Sequence, residues 1–199
     1  MILSPGWRKL TLTVHLTASV GWIGAVVAYL ALGVSAVTAP DDETLRAAWI
    51  AMEVTGWYAI VPLAIGSLVT GVVISLGTPW GLFRHYWVII SLGLTSLCLV
   101  VLLAHMPGVS ATAAALRSGG AAPAAPRAES AEQGRHGGAR AGDLFHPSAG
   151  LVILLAVAAL NVYKPRGLTP YGWRKQQAEL ARRSPGDVGA AARLASATD

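Results

Sequence analysis

Charge is what this chain has least of. Only 13% of its 199 residues are Asp, Glu, Lys or Arg, against about 25% in a typical soluble domain. That shortage excludes an ordinary water-soluble domain as the main body of the chain. Cysteine is nearly missing too. Cys98 stands alone, which excludes an intramolecular disulfide and leaves a small apolar residue midway along a hydrophobic stretch. No phosphate-binding glycine loop, nucleophile elbow or zinc-ligand helix occurs, so nothing supports a soluble-type enzyme. The halves show no clear inverted repeat and no pair of broken helices, as a transporter would. The net charge is +5, yet no basic motif is interleaved with aromatics, which argues against nucleic acid as a partner.

What the chain has in abundance is apolar length. Hydrophobic residues make up 54% of it, gathered into four stretches near 12–37, 45–76, 86–106 and 147–164. Crossing a hydrocarbon core about 30 Å thick takes about 20 apolar helical residues. Backbone polar groups cannot go unpaired in lipid, so such stretches must be helices. The expected fold is all-α: a four-transmembrane-helix bundle over 1–183, with the lipid bilayer as its surroundings and a flexible tail over 184–199. The first stretch follows Arg8 and Lys9, as a signal peptide would. Its run of about 25 apolar residues exceeds the 7–15 of a signal, so it is read as a retained anchor.

Four spans place both termini on one side. That side receives 10 of the 15 basic residues, and the other receives 5: Arg46, Arg117, Arg127, Arg135 and Arg140. Positive charge stays inside, which makes the N- and C-termini cytoplasmic. The Ala- and Arg-rich composition suits a high-GC bacterium, hence a bacterial inner membrane. Asp41, Asp42 and Glu43 suit the N-terminus of the second helix, and Pro62 should kink that helix. Trp80, Phe83, Tyr86 and Trp87 around the inner turn form an aromatic belt. Residues 109–143 are Ala, Gly, Pro, Ser and Arg with almost no large apolar side chain, and read as a disordered external loop.

Ionisable groups inside a membrane are functional candidates by default. His15 and His85 fall near the cytoplasmic face, and His105 and His146 near the outer face. Histidines on neighbouring helices can clamp a haem iron in an apolar slot. The first expectation is therefore a haem b-binding redox or electron-transfer protein. His15 and His85 would be axial ligands, Trp22 and Tyr29 would line the pocket, and Arg84 would pair with a propionate. His105 and His146 would make a second site. His15, Ser19, Trp22, Val26 and Tyr29 share one helix face, which should look into the bundle. Glu53, Gly56, Trp57, Ile60, Ala64, Ser67 and Gly71 make a matching stripe. A different expectation puts copper at the outer face, on Glu53, His105 and Met106, with Met52 nearby. The plainest alternative is a cofactor-free structural or accessory subunit. It would meet membrane protein partners or copies of itself through the aromatic turn and the basic segment after Tyr163.

Two stretches carry a resemblance. His15-Leu-Thr-Ala-Ser-Val-Gly-Trp22-Ile-Gly24 resembles the first helix of copper-resistance D-like proteins and of membrane-embedded protoporphyrinogen oxidases. The latter likeness implies a haem ligand at His15. Leu76-Gly-Thr-Pro-Trp-Gly-Leu-Phe-Arg-His-Tyr-Trp-Val88 and Val162-Tyr-Lys-Pro-Arg-Gly167 look like an uncharacterised family of actinobacterial four-helix membrane proteins. That resemblance implies fold and location only.

Overall fold

In the computed structural model, residues 4–77, 81–119, 141–165 and 167–183 are described. Trp80, His136, the middle of the expected loop and the tail from residue 184 lie outside them. Helix α1 spans Pro5–Val37. Helix α2, Asp42–Thr55, passes through a π turn at Gly56–Ile60 into α3, Val61–Gly77. Helix α4 spans Tyr86–Arg117, α5 Ala141–Tyr163 and α6 Pro170–Arg183. Among the described residues there is no strand, only an isolated bridge between His85 and Leu168.

Among the described residues, four helical stretches are long and apolar enough to cross a membrane: Pro5–Val37, Asp42–Gly77, Tyr86–Arg117 and Leu144–Tyr163. The chain is thus a multi-pass membrane protein with an all-α, four-helix bundle. Helices α1 and α4 each pack on α2, α3 and α5. They occupy opposite corners of a square whose other corners are α5 and the α2–α3 span. The face expected to look inward does so: Ala18, Trp22, Val26, Tyr29, Gly33 and Ala36 are the buried residues of α1. Much of the remaining apolar surface is exposed, including Val20, Val69, Val100 and Val152, as lipid-facing residues should be.

The second span starts earlier than hydropathy suggested. Asp41 accepts the Thr44 backbone N–H at 2.7 Å, and Asp42 and Glu43 occupy the first turn, where the helix dipole favours them. The bond from the Thr44 backbone N–H is the main cause holding the Asp41 carboxyl below its ordinary value. A depressed pKa makes the cap fully effective above the usual carboxylate range and loses it as pH falls through the folded value. Protection of amides 42–45, measured against their intrinsic exchange rates, should therefore fall on acidification below about pH 4, whereas protection within α3 should not change.

Pro62 disturbs its span as expected, though through a π turn just ahead of it rather than a simple kink. The buried positions Met52, Gly56, Ile60 and Ala64 recur every four residues. Over three such steps an ideal helix of 3.6 residues per turn would rotate the stripe by about 120°. The extra residue of the π turn removes most of that drift and keeps the stripe on the core.

The expected loop over 109–143 is corrected at both ends. Helix α4 runs on through Pro107 to Arg117, and α5 begins at Ala141. At about 1.5 Å per residue, α4 and the α2–α3 span are each roughly 50 Å long, well beyond the hydrocarbon thickness. Their far ends therefore pack on each other outside it. Val109, Ala113 and Leu116 share a core with Leu45, Ala48 and Trp49, and Trp57 Nε1 donates to Ser110 Oγ at 3.0 Å. The helix stops at Gly119, whose φ of 76° is the left-handed conformation that closes helices.

Helix α6 was not anticipated. Thr169 caps it by accepting the Gly172 N–H on its hydroxyl at 3.0 Å. The Thr169 N–H donates to the Arg84 carbonyl at 3.0 Å, and its hydroxyl donates to the Phe83 carbonyl. Arg84 pairs with Glu179 at 3.4 Å. These bonds fasten α6 to the α3–α4 turn and leave Tyr171 and Trp173 exposed.

Candidate functional site

His15 sits half-buried on α1 against α3. Its Nδ1 lies 3.1 Å from the Ser67 carbonyl and 3.0 Å from Thr70 Oγ1. A carbonyl can only accept, so Nδ1 carries the proton. The Thr70 hydroxyl donates to the Gly66 carbonyl at 2.6 Å and is left to accept from the imidazole as well. Nε2 then holds the lone pair, the arrangement that orients a ligating histidine. A methyl group on Gly71 would come 3.2 Å from His15 Cε1, so the absence of a side chain there lets the ring lie close against α3. One turn further, Ser19 and Ser67 share a hydrogen bond of 2.8 Å. Sequence reasoning placed Ser67 and Gly71 on the right face but missed Thr70 and the carbonyl that fixes the tautomer.

His85 is not brought to His15. It opens α4, at the corner opposite α1, and bridges to Leu168. His15 is level with Gly71, six residues from the end of α3, or about 9 Å up the bundle. Arg84 faces Glu179 rather than the bundle interior.

At the far end the structure does join two histidines. The rings of His105 on α4 and His146 on α5 stand with centroids 5.2 Å apart and planes tilted by 32°. They cap a cavity of about 190 Å³ that runs down between α4, α5 and α1. Trp22 and Tyr29, expected beside His15, line this slot instead, with Ile60, Cys98 and Leu154. The walls below the histidines are apolar, and Gly150 and Ala149 keep the α5 side thin. A dry cavity of about 150 Å³ accommodates a benzene ring. A slot of about 190 Å³ therefore admits a single ring or a chain.

The remaining outer-face candidates point elsewhere. Glu53 is bonded to Arg117, which lies in the stretch expected to be loop. Met52 and Met106 are fully buried, and Met106 packs over Gly56 rather than toward the histidine pair. Among the described residues no three His, Cys, Asp or Glu side chains converge to hold a metal ion. Compared with protein-family models, curated proteins and solved structures, the chain matches none.

Proposed function

We propose that this is a redox or electron-transfer protein of the bacterial inner membrane that binds haem b, with His15 as the axial ligand. The observation that carries the reading is the anchoring of His15 Nδ1 by the Ser67 carbonyl and Thr70. It leaves Nε2 available, as ligating histidines require. The likeness of His15–Gly24 to the first helix of membrane protoporphyrinogen oxidases points the same way. Haem bound there would supply one-electron chemistry, with its potential set by the axial ligand and by burial. Ligation by one histidine suffices, as in globins, so His85 is not needed. Both termini lie on the cytoplasmic side, supported by the excess of basic residues there.

Detergent-purified protein should show a Soret band that shifts on reduction. His15→Ala should remove at least nine-tenths of that absorbance, and His85→Ala should leave it. A colourless protein, even after haem supplementation during expression, would exclude the reading. A full spectrum in His15→Ala would exclude the ligand.

A second reading, an accessory membrane subunit without cofactor, is favoured by one observation. The α3–α4 turn and α6 leave Phe83, Tyr86, Tyr171 and Trp173 all at least half exposed at one end of the bundle. Such aromatic and basic surfaces serve both partners and headgroups. Its mark would be a colourless protein that co-purifies in fixed ratio with another membrane subunit.

A further inference from the structure

We infer that the slot capped by His105 and His146 binds a prenylated quinone, its ring at the two imidazoles and its tail running down toward Leu154. The inference does not rest on haem at His15, because the two places share no residue.

Three observations carry it. The first is shape. The cavity extends along α4 from His105 to Leu97, eight residues or about 12 Å. Its volume of about 190 Å³ suits one ring and the first part of a tail. The second is the distribution of polarity. Below the mouth the slot is lined by apolar and aromatic side chains, whereas the mouth has two imidazoles on different helices at 5.2 Å. Each imidazole can offer an N–H to a carbonyl oxygen, and a quinone is a flat ring with a carbonyl at each end. The Trp22 and Tyr29 rings in the wall of the slot offer further aromatic faces for packing. The third is charge. Among the described residues no Lys or Arg lines the slot, and Arg117 at the end of α4 is engaged by Glu53. A fatty-acid carboxylate or a phospholipid phosphate would be stabilised by a fixed cation there, and a quinone has no such need.

The test uses the full chain in nanodiscs of zwitterionic lipid, titrated with a quinone bearing a two-isoprene tail. Quenching of tryptophan fluorescence reports binding, because Trp22 lies in the slot. Saturable quenching with one quinone per chain is expected. His105→Leu and His146→Leu should each weaken it at least tenfold. Gly150→Leu, which places a side chain where nothing lies within 4 Å of a Cβ, should abolish it without disturbing helix packing. Circular dichroism and thermal melting of each variant identify any that fail to fold, and Gly150→Leu stands as the independent variant if a histidine change does. Equal affinity for the same prenyl chain lacking the ring would overturn the inference, as would tighter binding of a fatty acid of matching length. Unchanged affinity in Gly150→Leu would place the quinone elsewhere and overturn it too. Haem absorbance is read separately in the same samples, so loss of one reading leaves the other intact.

Discussion

Gly172→Ala should release α6 from the α3–α4 turn while leaving the four spans intact. A methyl group at this position would press into the Arg84 backbone, 3.1 Å from its carbonyl carbon and closer still to the oxygen. That obstacle is main chain, held at both sides by the Thr169 and Tyr86 hydrogen bonds, so it cannot swing away as a side-chain tip would. Overpacking of this kind costs about 1–3 kcal/mol. What holds α6 is modest: a few hydrogen bonds worth about 0.5–1.5 kcal/mol each and a long, partly exposed Arg84–Glu179 contact at 3.4 Å that adds little. The penalty is therefore comparable with the whole attachment. With about 1.4 kcal/mol per factor of ten, tryptic cleavage at Arg174 and Lys175 and amide exchange over 170–180 should rise roughly tenfold or more. Thr169→Val, which removes the hydroxyl that both caps α6 and reaches Phe83, should act in the same direction more weakly. If exchange over 170–180 in Gly172→Ala matched the unmodified chain, α6 would not be docked as described.

The same turn shows which parts of the fold could be read in advance. The spans were legible because lipid imposes one rule, about 20 apolar residues without charge, and 12–37 and 86–106 obey it openly. Helix α6 has no such rule. Its cap was written in Thr169-Pro170, a good N-cap followed by a residue favoured at the first helical position, but its docking depends on Gly172 lacking a side chain opposite Arg84. Residues 109–117 were misread because Ala, Ser and Gly after Pro107 have the composition of a loop. They are helical because Leu45 and Trp49 extend past the bilayer to cover Val109, Ala113 and Leu116, which only the pairing of helices reveals.

The site divides in the same way. That His105 and His146 share a layer follows from their places at adjacent span ends, so their meeting was visible in the sequence. That Trp22 serves them rather than His15 was not. Seven residues of helix carry it about 10 Å from His15, and the choice between the two ends depends on where the bundle leaves space. Arg117, the partner of Glu53, was hidden by the loop assignment itself.

The second large effect concerns Gly56 and Met106, where α1, the π turn and α4 meet. A methyl group on Gly56 would lie 2.5 Å from Met106 Cε and 2.6 Å from Sδ. Met106 is wholly buried, so although its tip is flexible it has nowhere to go, and Gly56→Ala should destabilise the bundle by about 1–3 kcal/mol. Met106→Ala should also destabilise, by opening a cavity. Such deletions cost about 2–5 kcal/mol in water-soluble cores, and the lower end applies here because lipid tails are as apolar as the side chain they replace. Combined, the two changes compensate, since the new methyl group enters the space the thioether leaves. The double variant should be less destabilised than the sum of the two by about 1–2 kcal/mol, within the range for residues in direct contact. Reversible unfolding in mixed micelles of increasing SDS fraction measures all four species, and strict additivity would mean that Gly56 and Met106 do not touch.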